Sequence, residues 1–375
     1  MDTNFNNNND LLYSNDALKE IIENMKTQEP CRILPQPQSE RKRNKIDILK
    51  MIQDPCKTTT IIGPMVRYSK SSFRDTCAHF DGDIIYTPMI LAREFIRNDL
   101  ARISEFTTNL DNVRAKGLIV QLGVNNSIDL IRTIELLKDY CDGFGINSGC
   151  PIKQQNDEMI GAQLIYNPDG LCEMVSAVKS KYGDEVKLEV KIRIHDNWDQ
   201  TVELCQRLFI AGVDWITVHG RGKNTRSSQP CNFEAIKYIR GKLPSALPIV
   251  ANGDCFKLED VKTIAERCNV QGVMAVRGVL NNPAMFSGYE FTPWKAIELI
   301  VHYSIEYGLH FALLQHHLHC MLSNSNPKPN SKILKKLMGN EIKSTFDIID
   351  YLDAYFILKR YGEEGFATAV DVPYK

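Results

Sequence analysis

The residue of this sequence best placed for chemistry is one cysteine held between a strand and a proline. In Gly143-Phe144-Gly145-Ile146-Asn147-Ser148-Gly149-Cys150-Pro151 an apolar run reaches a glycine and hands over to Cys150. Proline fixes its own φ and biases the residue before it to extended backbone, so the thiol sits at a defined corner and not on a flexible tip. The alternative for a free cysteine is a small buried hydrophobe. Other polar residues break otherwise apolar runs: Gln121, the alternating Lys191 and Arg193, His219, Asn252-Gly253-Asp254, and Arg277-Gly278. Lysine is almost never fully buried unless paired, so Lys191 calls for an anionic or acceptor-rich partner. Taken singly, each is explained by an ordinary ion pair, such as Lys191 with Glu189 or Asp254. At matching depths in successive runs, they describe a ring around one ligand.

The elements that carry these residues repeat with a rhythm that starts at residue 58. Short β-branched runs appear as TTTIIGPM (58–65), DIIYTPM (83–89), LIVQLGV (118–124), GFGINSG (143–149), LEVKIRI (188–194), WITVHGR (215–221), PIVANGD (248–254) and GVMAVRG (272–278). Continuous runs of this kind suit strands buried on both faces. Amphipathic helical stretches lie between them. Leu130, Ile131, Ile134 and Leu137 share a face behind Ser127 as N-cap; Asn167-Pro168 opens a second stretch, which carries Leu171, Val175 and Val178 and stops at Gly183. Eight strands alternating with helices predict an α/β fold, a (β/α)8 TIM barrel, over residues 46–292. A doubly wound open sheet would want a GxGxxG turn after the first strand, and there is none.

After Pro293 the pattern becomes wholly helical. Ile297, Ile300, Val301 and Ile305 give one apolar face and Leu313, Leu314, His317, Leu318 and Met321 another; Lys328, Lys332, Lys335 and Lys336 then lead to Ile348, Ile349, Leu352 and Phe356. That predicts a small all-helical C-terminal domain over 293–375. Residues 1–45 read as a poorly ordered extension: an Asn-rich start, a short helical pattern from Leu18 to Met25, and the basic cluster Arg41-Lys42-Arg43-Asn44-Lys45. That cluster reads as a solvated surface run in preference to an RNA-binding or nuclear signal.

Barrels place chemistry at the C-terminal ends of their strands and commonly bind phosphate at the last two. Asn252-Gly253-Asp254 and Arg277-Gly278 fall at those ends, with glycines for close backbone approach and a guanidinium for charge. A phosphate there and a polar planar ring over the barrel axis describe flavin mononucleotide. Lys191 would lie by the pyrimidine edge of that ring, where charge collects on reduction, and Gln121 would donate and accept along the same edge.

Composition narrows the classes further. The chain has 375 residues, 43% of them hydrophobic, and a net charge of −1. No apolar run approaches the ~18–20 residues that span a bilayer. The N-terminus lacks the basic start and apolar stretch of a secretory signal, so the cytoplasm, or else the nucleus, is the expected location. The 11 cysteines are scattered without a CxxC pair, which argues against a disulfide framework and a structural zinc. His316-His317 with His319 and Cys320 lacks the second cysteine pair of a zinc site, so no metal is expected. With near-neutral charge, any nucleic acid must be held by local patches.

The motifs PMVRYSKSSFR (64–74), YTPMI (86–90), INSGCP (146–151), VKIRIHD (190–196), ITVHGR (216–221), VANGD (250–254) and VRGVLNNPAMFSGYE (276–290) resemble those of the tRNA-dihydrouridine synthases. The likeness is closest to the eukaryotic branch that acts at positions 20a and 20b. It is strong over about residues 58–290 and looser in the tail (QHHLHCML, then IIDYL), and the first 45 residues or so lie outside it.

The resemblance implies an enzyme that reduces the C5–C6 double bond of a D-loop uridine in tRNA, with FMN as cofactor and NADPH or NADH as reductant. Carried over by position, Cys150 is the proton donor to C5 after hydride reaches C6. Pro64, Met65, Val66, Gln121, Lys191, His219, Asn252, Gly253, Asp254, Val276 and Arg277 hold FMN, while Asn147 and Arg193 lie near the uracil. The helical domain helps to clasp tRNA, and a monomer is expected. A thiol with pKa near ~8.5 is mostly protonated at neutral pH and can serve as the acid. Two departures stand out: the family usually carries an acidic residue where Gly145 stands, and glutamine or alanine where Ile152 stands. One rival reading is a small-molecule FMN-barrel oxidoreductase like dihydroorotate dehydrogenase, which has no use for the lysine-bearing tail. The other is a non-catalytic RNA-binding barrel, against which the intact Cys150, Lys191 and Arg277 speak.

Overall fold

Eight parallel strands close on themselves in the computed structural model of the chain, which describes residues 43–108 and 116–375. They are β1 (Thr59–Ile62), β2 (Ile84–Tyr86), β3 (Gly117–Gly123), β4 (Gly143–Ser148), β5 (Leu188–Ile194), β6 (Trp215–Gly222), β7 (Ile249–Asn252) and β8 (Gly272–Ala275). Each pairs with the next, and Thr59 of β1 registers with Gly272 of β8 to complete the ring. A two-residue strand, Ile90–Leu91, pairs in parallel alongside the C-terminal end of β3, at Leu122 and Gly123. The predicted (β/α)8 barrel is the fold.

Successive side chains on a strand point to opposite faces, and in a barrel that separates an axis from an outer layer. On β5, Leu188, Val190, Ile192 and Ile194 join the packing between sheet and helices, leaving Glu189, Lys191 and Arg193 for the axis. A second core fills the interior and contains Ile61, Ile84, Tyr86, Ile119, Trp215, Val250 and Met274. Its floor is the helix Ile48–Ile52, whose Ile48 and Ile52 are fully buried against those residues. Gly117 makes the fit possible: a Cβ there would stand 2.4 Å from Ile48 Cδ1.

The residues before that helix correct one expectation. Arg43 is not part of a solvated run. Its Nη2 pairs with Asp142 at 2.7 Å with both side chains buried, and Nη2 also donates to the Lys116 carbonyl at 2.8 Å. Asp142 further accepts from the amides of Ile46 (2.9 Å) and Leu118 (2.7 Å), so one carboxylate ties the incoming chain to β3. Lys45 stays exposed; Arg41, Lys42 and the Leu18–Met25 pattern lie outside the described residues.

Asparagines start several of the outer helices. Asn126, not Ser127, caps the helix Ser127–Leu137, its Oδ1 accepting from Asp129 N at 2.9 Å; Ser127 is already helical, one position too far in to reach that amide. Asn167 caps Pro168–Tyr182 as expected, and Gly183 (φ +52) ends that helix.

Of the C-terminal helices, Trp294–Glu306 lies against the helix Ser71–Ala78 and Phe311–Ser323 against Arg277–Asn281, while Ser331–Leu337 and Thr345–Tyr355 pack on Phe311–Ser323 and on each other. Ser72 Oγ, on the helix Ser71–Ala78, donates to the Tyr303 carbonyl at 3.1 Å. His317 is a core residue, stacked on Phe73 at 4.9 Å, and burial pushes its pKa down to about 3. Ile305 departs from its expected buried face and is 56% exposed. Eight residues beyond Ile297, it has rotated about 80° around the helix and points to solvent.

Candidate active site

The C-terminal ends of the strands open into one cavity of about 270 Å³. Pro64, Val66, Gln121, Lys191, His219, Asn252, Gly253, Asp254, Val276 and Arg277 line it, together with Asn147, Cys150 and Arg193. Of the residues singled out in the sequence, Met65 and Gly278 are outside the lining; Met65 is buried in the outer core, with its amide donating to Ser69 Oγ at 3.0 Å.

The Cys150 corner is fixed from three sides. Asn147 Oδ1 accepts from the amides of Gly149 (3.1 Å) and Cys150 (2.9 Å), and its Nδ2 donates to Gln121 Oε1 at 2.8 Å. Arg193 Nε donates to the Gly149 carbonyl at 2.7 Å, while Nη1 donates to that of Gly222 at 2.8 Å. The Cys150 carbonyl accepts from Ala162 N at 2.8 Å beside Gly161, which has φ +71. Asn147 is therefore largely spent on the loop, whereas Gln121 Nε2 is buried without a partner among the described residues and is left for a ligand. Burial pushes the Cys150 thiol up, and the Ile152 amide, Arg193 and Lys191 offset that only in part. It is a thiol and not a thiolate at neutral pH.

Lys191 finds its acceptor in an amide. Its Nζ donates to Asn252 Oδ1 at 2.8 Å, and Asn252 is in turn fixed by donating from Nδ2 to the Met274 carbonyl at 2.9 Å. The expected alternative, an ion-pair contact with Glu189 or Asp254, is not made. Burial lowers the pKa of the ammonium, against the attraction of Glu189.

Across the cavity, Asp254 organises two guanidiniums. Arg221 Nη2 donates to both carboxylate oxygens at 2.7 Å, Arg277 Nη2 to Oδ1 at 2.5 Å, and the Cys231 amide to Oδ2 at 2.7 Å. Burial alone would raise the carboxyl's pKa, but these donors outweigh it and hold the group below the usual carboxylate range. His219 is driven well below its ordinary value by burial and by the cations Lys191, Arg193, Arg221 and Arg277. With Arg221 Nη1 3.2 Å from Nε2, the neutral ring is assigned its proton on Nδ1. Asp254 (φ 40), a lining residue, and Arg67 (φ 70), which follows the lining Val66, hold left-handed backbone, the kind of local strain that gathers at functional sites.

The glycines here have a packing reason besides the one expected. A Cβ at Gly253 would lie 2.4 Å from Cys231 Sγ, and one at Gly278 2.4 Å from the Cys255 carbonyl oxygen, so packing within the protein already demands them. Gly145, where the resemblance leads one to expect an acid, faces the axis opposite Glu189, whose Oε2 lies 2.5 Å from where a Cβ would be. The carboxylate comes from the neighbouring strand instead.

Arg221, Phe256 and Gly161 were not foreseen. Arg221 carried a signal, since it follows His219 by two residues on one strand, as Arg193 follows Lys191. Phe256 places its ring 5.1 Å from the Arg277 guanidinium. Four cations (Lys191, Arg193, Arg221 and Arg277) thus line the cavity with one carboxylate, Asp254. Such a lining suits an anionic ligand with hydrogen-bonding groups. No group of three or more His, Cys, Asp or Glu side chains among the described residues is arranged to hold a metal.

Residues 61–371 match the family model described as Dihydrouridine synthase (Dus). The chain is 53% identical over 321 residues to the Saccharomyces cerevisiae protein named tRNA-dihydrouridine(20a/20b) synthase (NAD(P)+), covering 85% of this chain and 86% of that one. It is 40% identical over 310 residues to the Schizosaccharomyces pombe protein of the same name, covering 83% and 91%. A Homo sapiens protein named as similar to that enzyme is 36% identical over 318 residues, covering 84% and 96%.

Proposed function

Because this chain belongs to the dihydrouridine synthase family, we propose that it reduces the C5–C6 double bond of uridine at positions 20a and 20b of tRNA, with Cys150 as the proton donor. The observation that carries this reading is that a protonated thiol, a buried lysine and an arginine share one cavity at the barrel's mouth.

Flavin mononucleotide fits the donors present. The cavity is rich in positive charge for a phosphate, and Gln121 Nε2 is a buried donor in want of an acceptor. Arg277, Val276 and the Asn252-Gly253-Asp254 turn would hold the phosphate end; Gln121, Lys191 and His219, with Pro64 and Val66, would hold the ring. When bound, the flavin supplies the hydride for C6 of the uracil and is itself reduced by NADPH or NADH.

The chain's own residues do the rest. Hydride at C6 leaves charge on C5 and the C4 oxygen of the base, and the Cys150 thiol gives its proton to C5. Arg193, which has no acceptor for Nη2 among the described residues, and Lys191 bring positive charge to that developing anion. The base must leave the tRNA stack to reach the cavity, at a cost of a few kcal/mol that is least in a loop. Lys328, Lys332, Lys335 and Lys336 are exposed on the helical tail and are the groups that would meet tRNA phosphates. The reading needs a single chain and a compartment with tRNA, the cytoplasm or nucleus; no described helix is long and apolar enough to cross a membrane.

The test is turnover of the purified protein with NADPH on tRNA that lacks dihydrouridine, in parallel with free uridine and orotate. Reduction of tRNA but not of the free pyrimidines is expected. The reverse preference would favour a small-molecule oxidoreductase, and a colourless protein that binds tRNA without reducing it would leave only a scaffold.

A further inference from the structure

Inside the barrel, beneath the cavity, lies a carboxyl group that the reaction as described does not use. Glu189 is wholly buried and shares the axial face of β5 with Lys191, two residues on. Neither of its oxygens has a hydrogen-bond partner in good geometry among the described residues, and neither have three donors nearby, Tyr86 Oη, Trp215 Nε1 and Thr217 Oγ1. Burial raises the pKa of the carboxyl, while Thr217, Lys191, Tyr86 and Trp215 all pull it back. Its place is made by Gly145, the register partner on β4, since any Cβ there would overlap Oε2.

The relation between the two charges is reciprocal. A buried carboxylate without a counter-charge is costly, and Lys191 is the cation that acts on Glu189. Lys191 in turn meets the cation Arg193 on its own strand and His219 on β6, and it also meets the thiols Cys150 and Cys231. Among these, Glu189 brings the negative charge. The two groups do not touch, because Lys191 Nζ is bonded to Asn252 Oδ1. Residues two apart on a strand are separated by roughly 6–7 Å along the chain, and the dry barrel interior screens little over that distance.

We propose that Glu189 is a positioning residue for Lys191: a carboxylate sealed in the barrel axis that keeps the lysine charged and facing the cavity, with Gly145 as the space that admits it. Its consequence for reactivity rests on the flavin reading above, through the charge that the ring would meet. The pairing itself does not need the flavin, so the two can fail separately.

The test follows Lys191 directly, by titrating its 13Cε resonance in the full chain stripped of cofactor, with K191M to assign the signal. E189Q is expected to move the lysine's titration to lower pH by about one unit or more, a roughly tenfold or greater loss of proton affinity. The swapped variant G145D/E189G, which returns a carboxylate to the axis from β4, is expected to titrate near wild type. A wild-type titration in E189Q would overturn the proposal, and so would a swapped variant that titrates as E189Q is expected to. If E189Q does not fold, the swapped variant alone decides between these outcomes. With FMN bound, the pH dependence of its midpoint potential should inflect where Lys191 titrates in each variant. A shift seen by NMR without any such inflection upholds the pair and counts against the flavin reading.

Discussion

The side chain that Gly161 lacks is what leaves room for Cys150. A Cβ on Gly161 would stand 2.6 Å from the Cys150 carbonyl oxygen and 3.2 Å from the Cys150 Cβ, and the backbone there has φ +71. Gly161→Ala is therefore expected to cost about 1–3 kcal/mol of stability, as strained left-handed positions do. The displaced thiol should slow dihydrouridine formation at least tenfold, with FMN retention near wild type, since Gly161 does not line the cavity. Urea unfolding, flavin absorbance and product assay on one preparation check all three; unchanged turnover would mean that the corner does not depend on this contact.

As the proposed acid, Cys150 must be protonated to act, so activity would persist below the thiol's pKa and be lost as pH rises through it. Burial raises the Cys150 pKa above the ordinary cysteine value, which moves that loss to higher pH. The part of the alkaline fall in kcat that belongs to the thiol is accordingly expected above the pH at which an exposed cysteine ionises, beyond any fall from Lys191, whose ammonium pKa burial lowers to about 8. A limb below that value would assign the titration to another group.

The buried pair at the foot of the barrel makes a prediction about stability. Arg43→Ala leaves Asp142 buried with two amides and no counter-charge. Breaking a buried pair from one side costs about 3–5 kcal/mol. Denaturant unfolding should show a loss of that order. A loss below about 1 kcal/mol would put the pair in the class of surface ion pairs.

How much of this was legible beforehand depended on where each residue's partner lies. The eight strands could be read because runs buried on both faces are locally apolar, and Lys191 and Arg193 stood out by breaking one of them. Arg43 looked like a solvated charge because its partner lies 99 residues away. Gly161 gave no local signal, since its need for glycine comes from a contact across the loop and not from its neighbours. In the sequence Glu189 reads only as an ordinary ion-pair candidate for Lys191. Its depth follows from the strand's alternation, but its room comes from a glycine on the adjacent strand.

The Cys150 thiol as proton donor is the role on which the proposed reaction depends. The most direct measurement is single-turnover reduction of tRNA by Cys150→Ala against wild type, with bound FMN quantified and dihydrouridine mapped at positions 20a and 20b. With Cys150 as the donor, the variant keeps its flavin and formation at both positions falls about 100-fold or more, the scale of a lost general acid. Turnover at the wild-type rate by the flavin-loaded variant would contradict it.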